Sequence, residues 1–245
     1  SRLQYPPNIR VIRVMCSGRV DLEFILRALH NGMDGVFIGG CKLHECNYVT
    51  HGNYHALTTV LLAKKVMEFM GVNPDRLRVE FMSAADGLRF AEVVDDFTKQ
   101  VRELGPLGSS EGLGLEELRG RIAEVNKLVP YLKVRTNDKL NQRLTSPAAY
   151  PDFFQKEEVE ALLTNPAAYY IDPQKCQACG ICARRCPVEA ISGAKKQVHV
   201  IDQDQCIRCG TCYEACPSRF GAVQLIQGAP VPPPPEPGQA IVSPS

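Results

Sequence analysis

The chain has 245 residues, and its 28 Lys and Arg against 27 Asp and Glu give a formal net charge of +1. This balance leaves no basic footprint for nucleic acid or an anionic membrane surface. No apolar run reaches the 18 residues of a membrane-spanning helix. Eight of the 11 cysteines are grouped in short C-x2-C runs, which favours metal binding over disulfides and predicts a cytoplasmic location.

Residues 1–104 alternate strand and helix patterns. Strands are predicted at residues 9–15, 35–39 and 77–82 from their β-branched and apolar content. Amphipathic helices are predicted at residues 22–29, 54–70 and about 90–104. Strand and helix alternating three times indicate a small α/β domain with a doubly wound, flavodoxin-like parallel sheet.

The segment of residues 105–167 is less regular and is interpreted as a helical linker. It opens with a Gly-, Pro- and Ser-rich stretch and contains two helical patterns, at residues 115–128 and 155–163. We expect it to pack on one of two domains. Residues 228–245 form a Pro-rich tail, whose composition predicts an extended polyproline segment.

A doubled cysteine run is the most specific motif of the chain. Both copies read C-x2-C-x2-C-x3-C-P, and a shift of 30 residues superimposes them. This spacing is typical of two [4Fe-4S] clusters, with the fourth cysteine of each run ligating the other cluster. Residues 168–227 are therefore predicted to form an α+β, two-cluster ferredoxin-like domain.

The predicted ligands divide into two sets that cross between the runs. The first set is Cys176, Cys179, Cys182 and Cys216, and the second set is Cys206, Cys209, Cys212 and Cys186. The alternative to two iron–sulfur clusters is a pair of structural zinc sites, but zinc motifs have looser spacings.

Three further cysteines lie in the α/β domain. Cys16 and Cys41 end the first two predicted strands, and Cys46 follows Cys41 in a C-x4-C spacing. Because parallel strands end at one sheet edge, these thiols are expected to approach one another. The alternative is that they are small apolar residues at strand ends. A ligating histidine, as in Rieske sites, is conceivable among the neighbouring loop histidines, which are His44, His51 and His55.

The same domain resembles a known family. The run YPPNIRVIRVMCSGRV at residues 5–20, with DGVFIGGC at 34–41, CNY at 46–48 and GN at 52–53, is similar to the delta-subunit family of methyl-viologen-reducing hydrogenase, often called the MvhD type. The resemblance covers residues 1–104. The appended two-cluster module is not part of the minimal family and suggests a fused relay.

The resemblance implies a [2Fe-2S] cluster with Cys16, Cys41 and Cys46 as ligands. In the family, the domain begins one strand earlier, and that strand ends in a Cys-x-x-Cys segment that this sequence lacks. We therefore expect the native first strand and the fourth ligand to be missing from this chain. Asn47 also departs from the histidine common in the family.

The implied function is an electron-transfer subunit without a catalytic site or flavin of its own. The resemblance implies electron relay between a hydrogenase or formate dehydrogenase and a flavin-bearing subunit of a heterodisulfide-reductase-like complex. One alternative is a thiol- or disulfide-active subunit that uses Cys41 or Cys46. Another alternative is a non-redox iron–sulfur interaction module.

Overall fold

The computed structural model describes residues 4–48, 52–235 and 238–241. The chain divides into two compact units, each described here by itself. Unit 1 comprises Ser1–Val129 and Arg135–Glu160, and unit 2 comprises Pro130–Val134 and Ala161–Ser245. The predicted loop residue His51 lies outside the described residues.

Helices supply most of the regular structure. Their bounds are α1 Leu22–His30, α2 Asn53–Met70, α3 Gly87–Leu104, α4 Leu115–Lys127, α5 Val129–Arg135, α6 Asn137–Leu140, α7 Lys156–Thr164, α8 Ile181–Arg185 and α9 Thr211–Ala215. The strands are β1 Val36–Gly40, β2 Leu77–Phe81, β3 Ala168–Ile171, β4 Ile191–Ser192, β5 Val200–Ile201 and β6 Val223–Ile226. Among the described residues, no helix is long and apolar enough to cross a bilayer.

A parallel strand pair confirms the α/β class of the N-terminal region. β1 and β2 pair in parallel from Val36 opposite Leu77 to Gly40 opposite Phe81, with α2 as the crossover between them. The predicted helices at residues 22–29, 54–70 and 90–104 are confirmed by α1, α2 and α3. The linker helices at residues 115–128 and 155–163 are confirmed by α4 and α7.

The strand predicted at residues 9–15 is wrong. In the described part of the chain this segment has no regular secondary structure and pairs with no strand. Val11, Ile12 and Met15 are 68%, 86% and 93% exposed. A β-branched sequence favours a strand only where a neighbouring strand offers hydrogen bonds and a surface to pack on, and no described strand pairs with this segment. The parallel sheet therefore has two strands, not three, among the described residues.

The core of unit 1 forms where amphipathic faces meet. In α1, Asp21 caps the first turn by accepting the Glu23 N–H at 3.0 Å. The apolar stripe of that helix is fully buried, and α4 packs on both α1 and α2. The left-handed Gly71 ends α2 at φ +80°.

Unit 2 contains two antiparallel strand pairs, β3 with β6 and β4 with β5. The Pro-rich tail was predicted to be an extended polyproline segment, but part of it is hydrogen-bonded to the rest of this unit. The Val198 N–H donates to the Gln239 carbonyl at 2.9 Å, and the Ile241 N–H donates to the Lys196 carbonyl at 3.2 Å. The apolar side chain of Ile241 also packs against the core of this unit, so burial and two backbone bonds fix the tail where composition predicted only extension.

Candidate metal centres

The two cysteine runs fold into repeated halves. In each half an aspartate begins the turn, because the Cys176 N–H donates to the Asp172 carbonyl and the Cys206 N–H to the Asp202 carbonyl, both at 3.0 Å. The short helices α8 and α9 then begin at left-handed glycines, with φ +68° and +86°. A residue with a Cβ is strained in this conformation, which explains the glycine of each run.

Backbone N–H groups point at cysteine sulfurs in both halves. The Arg208 N–H lies 3.4 Å from Cys206 Sγ, and the Ala190 N–H lies 3.3 Å from Cys186 Sγ. Arg208 reaches its position through a left-handed φ of +56°, and Ala178, which occupies the equivalent place in the other half, has φ +51°. Such N–H donors stabilise negative charge on sulfur and orient the ligand atoms.

The structure brings the eight cysteines together in the two predicted groups. The first cavity is lined by Cys176, Cys179, Cys182 and Cys216. The second cavity is lined by Cys206, Cys209, Cys212 and Cys186. Each cavity thus takes three sulfurs from one run and one from the other, while the role of these residues as ligands stays a prediction.

Two buried thiols, one in each cavity, have strongly raised pKa values. Burial raises the pKa of Cys182 to about 11, and the nearby thiols of the same cavity add to the effect. Burial likewise raises the pKa of Cys212 to about 12, with further contributions from neighbouring cysteines. A buried thiolate is costly unless a cation accompanies it.

The donor set fits [4Fe-4S] clusters. In such a cluster each thiolate binds a different iron, so four sulfurs around a common cavity are what the ligation requires. No three His, Cys, Asp or Glu side chains in the described ranges are arranged to hold one metal ion. The apolar residues Ile171 and Val223 wall the first cavity, and Ile191 and Ile201 wall the second.

The three upstream thiols also come together, in unit 1. Burial raises the pKa of Cys41, and a hydrogen bond and charge interaction with Cys46 add to this. Burial also acts to raise the pKa of Cys46, but hydrogen bonds from the Tyr48 and Asn53 N–H groups and from the other two thiols lower it overall. Cys16 is held by the Gly18 N–H, 3.4 Å from its sulfur.

Two glycines leave no room for a side chain beside these thiols. A Cβ on Gly52 would lie 2.3 Å from Cys46 Sγ and 2.4 Å from the Tyr48 carbonyl oxygen. A Cβ on Gly40 would lie 2.7 Å from Ser17 Oγ, next to Cys16. Gly52 therefore leaves room for the Cys46 thiol, and Gly40 leaves room for Ser17, the residue after Cys16.

The histidines near this site are engaged elsewhere. The Tyr54 hydroxyl lies 2.9 Å from His44 Nδ1 and 3.1 Å from its Nε2, and the Arg143 guanidinium lies over the Tyr54 ring at 5.0 Å. His55 Nδ1 lies 3.1 Å from the Leu140 carbonyl oxygen. The partners that the structure shows for His44 and His55 are thus the Tyr54 hydroxyl and the Leu140 carbonyl.

Sequence reasoning missed Asn53, which is 0% exposed at the start of α2. Its amide donates to the Cys41 and Lys42 carbonyls at 2.9 and 2.7 Å, and it lies 3.6 Å from Cys41 Sγ. Reasoning from the cysteines also missed Tyr169 and His199, which line the second and first cavities. The 30-residue repeat contained the signal for both, because it places them at equivalent positions.

Two family models match the chain. Residues 1–105 match the methyl-viologen-reducing hydrogenase delta subunit, and residues 168–217 match the 4Fe-4S dicluster domain.

Two relatives each match less than half of the chain. The chain is 50% identical over 105 residues to the iron-sulfur subunit of the F420-non-reducing hydrogenase of Archaeoglobus profundus, a match that covers 43% of the chain and 76% of that protein. It is 49% identical over 109 residues to one subunit of the ferredoxin/F(420)H(2)-dependent CoB-CoM heterodisulfide reductase of Methanosarcina acetivorans. That match covers 44% of the chain and 14% of the reductase polypeptide, so the chain spans about one-seventh of this larger relative.

The fold and the two cysteine-lined cavities define an iron–sulfur protein with a ferredoxin-like 4Fe-4S dicluster domain. The chain belongs to the family of the methyl-viologen-reducing hydrogenase delta subunit.

Proposed function

We propose that the chain is an electron-transfer subunit of a hetero-oligomeric redox complex, with no catalytic site of its own. The observation that supports this most directly is the pair of cavities, each lined by four cysteines drawn from both runs. When bound, [4Fe-4S] clusters supply one-electron oxidation and reduction at potentials set by their surroundings.

The chain's own residues hold the clusters and control their access to water. The thiolates of the two sets would supply the ligands, and apolar side chains in the walls limit the contact of both cavities with solvent. Cys179 is exposed, whereas the other seven cysteines of the runs are buried or partly buried. The first cavity therefore lies closest to solvent at Cys179, which makes that edge suited to exchange with another protein.

Membership of the family supports a proposal for the partners. We propose that the chain relays electrons from a partner of the hydrogenase or formate dehydrogenase type to a flavin-bearing partner like that of heterodisulfide reductase, or in the reverse direction. The names of the relatives, which are components of hydrogenases and of heterodisulfide reductases, support this assignment. The thiol-rich composition favours a cytoplasmic location.

A [2Fe-2S] cluster in unit 1 is part of the proposal. Cys16, Cys41 and Cys46 would supply three of its four ligands, because their sulfurs interact with one another. The fourth ligand would be a donor other than these three thiols.

Electron paramagnetic resonance (EPR) of the anaerobically purified protein, reduced in steps and recorded at several temperatures, tests the proposal. We expect two fast-relaxing, coupled [4Fe-4S] signals and one slowly relaxing [2Fe-2S] signal. Cys46→Ser should remove only the slow signal, and Cys212→Ser should remove only a fast one. A protein without the two [4Fe-4S] signals would rule out the electron-transfer function.

Thiol chemistry at Cys41 and Cys46 is the second candidate, favoured by the proximity of the two thiols, each of which shifts the pKa of the other. Alkylation of the folded protein followed by mass spectrometry separates the two functions. Cluster-bound thiolates resist alkylation, whereas a reactive thiol pair is modified readily and forms a disulfide on oxidation.

A further inference from the structure

A buried imidazole lines the first cavity. His199 directly precedes β5, is 5% exposed, and shares the cavity wall with Cys176 and Cys182. Its Nδ1 is buried and has no hydrogen-bond partner among the described residues. A buried polar nitrogen without a partner is costly, so it calls for an acceptor or donor beyond the protein atoms.

The ring is held in place by close packing on backbone. A Cβ on Gly193 would lie 2.7 Å from His199 Cγ and 2.8 Å from its Nδ1, so only glycine admits the ring there. A Cβ on Gly180, which also lines the first cavity, would lie 3.8 Å from His199 Nε2. The imidazole therefore packs closely on Gly193 and has its Nε2 near the glycine that begins α8.

The second cavity has a different side chain at the equivalent position. Tyr169 precedes His199 by the 30 residues of the repeat, lines the second cavity, and packs on Gly210, whose added Cβ would lie 2.7 Å from the phenol oxygen. Each half thus places one ring over the cysteines of the other half. The two cavities differ at this position in chemistry, imidazole against phenol.

We propose that His199 donates an N–H hydrogen bond to a sulfur of the cluster in the first cavity and raises the reduction potential of that cluster. This inference rests on the proposed binding of [4Fe-4S] clusters. Neutral imidazole carries its proton on one of its two nitrogens, so the proposal requires the N–H on the nitrogen that faces the cluster. A donor to sulfur stabilises the more negative, reduced cluster, and hydrogen bonds to sulfur are among the factors that set cluster potentials.

Redox titration of the full-length protein, followed by EPR, tests the proposal with two variants. His199→Phe keeps a ring but removes the donor, whereas His199→Gln keeps an N–H donor. We expect His199→Phe to shift the one-electron reduction equilibrium of one cluster about tenfold, which is a fall of about 59 mV. The other cluster should keep its potential. In His199→Gln, the potential of the affected cluster should lie closer to the wild-type value than it does in His199→Phe. Cys176→Ser and Cys206→Ser assign the two signals to the cavities.

Equal potentials in wild type and His199→Phe, or equal shifts of both clusters, would overturn the proposal. If His199→Phe fails to hold its cluster, pulsed EPR of the wild-type protein with ¹⁵N-labelled histidine decides instead. A nitrogen coupling on the first-cavity signal supports the hydrogen bond, and its absence contradicts it. Wild-type protein without two [4Fe-4S] signals would defeat the proposed function itself, whereas two signals with no effect of His199 defeat this inference alone.

Discussion

Arg76 and Glu111 form a bidentate ion pair whose two side chains are 0% and 1% exposed. Arg76 Nε lies 2.7 Å from Glu111 Oε1, and Arg76 Nη2 lies 3.1 Å from Oε2. The same guanidinium donates to the carbonyls of Asp34 and Gly105, each at 2.9 Å. This one side chain therefore ties the segment before β1 to the end of α3 and to the loop that follows it.

Glu111→Gln is expected to destabilise unit 1. The change leaves the buried guanidinium without its counter-charge, and loss of one partner of a buried pair costs about 3–5 kcal/mol. Thermal unfolding of the anaerobic protein, followed by far-UV circular dichroism, measures the loss. Glu124→Gln is the matched control, because Glu124 pairs with Lys127 at the surface and its loss should cost well under about 1 kcal/mol. Similar melting of both variants would contradict a structural role for the buried pair.

The stabilisation by Glu111 should depend on pH. Burial alone would raise the pKa of Glu111, but the hydrogen bonds from Arg76 and the Asn73 N–H, with the charge of Arg76, outweigh it and lower the pKa to about 2. A carboxyl whose folded pKa is lowered stabilises the protein fully above its unfolded pKa, here about 4.5. The difference in stability between wild type and Glu111→Gln should therefore shrink as pH falls from about 4.5 to about 2. A difference that stays constant over this window would show that the carboxylate charge is not the cause.

Gly52→Ala is expected to disrupt the upstream cysteine site. The added methyl group would lie 2.3 Å from Cys46 Sγ, so the thiol must move, and overpacking of this kind costs about 1–3 kcal/mol. We expect loss of any slowly relaxing EPR signal and faster alkylation of Cys46, read by mass spectrometry. Gly120→Ala is the control, because a Cβ there meets nothing within 4 Å and alanine favours the helix interior. Unchanged alkylation of Cys46 in Gly52→Ala would contradict the steric role of the glycine.

Local patterns predicted most elements, and the failures have physical causes. The stripe of α1 and the glycine that ends α2 act within a few residues, so the sequence shows them directly. The segment at residues 9–15 failed because strand formation depends on a neighbour that propensity does not report. Arg76 and Glu111 are 35 residues apart. No local sequence pattern shows that these two charged side chains, of residue types that are usually exposed, are buried.

The candidate site shows the same contrast between local features, which the sequence predicts, and contacts between distant segments, which it does not. Cysteine spacing predicted which thiols share a cavity, since the x2 intervals constrain one short loop. The contact of Asn53 with Cys41 and the place of His199 on the cavity wall depend on packing between distant segments. For His199 the internal repeat offered a usable signal, because it aligns this residue with Tyr169.

In each cavity the fourth cysteine comes from the other run, and this arrangement gives a prediction that distinguishes crossed from uncrossed ligation. Cys186 lines the second cavity although it belongs to the first run, and Cys216 lines the first cavity although it belongs to the second run. Cys186→Ser should therefore alter the same EPR signal as Cys206→Ser, and Cys216→Ser the same signal as Cys176→Ser. Each variant should lose up to about four irons per chain while the other cluster remains. If Cys186→Ser instead altered the signal assigned by Cys176→Ser, each run would hold its own cluster. In that case no ligand would cross between the two halves. Packing, such as that of α8 against α9, would then have to hold the halves together without help from ligation.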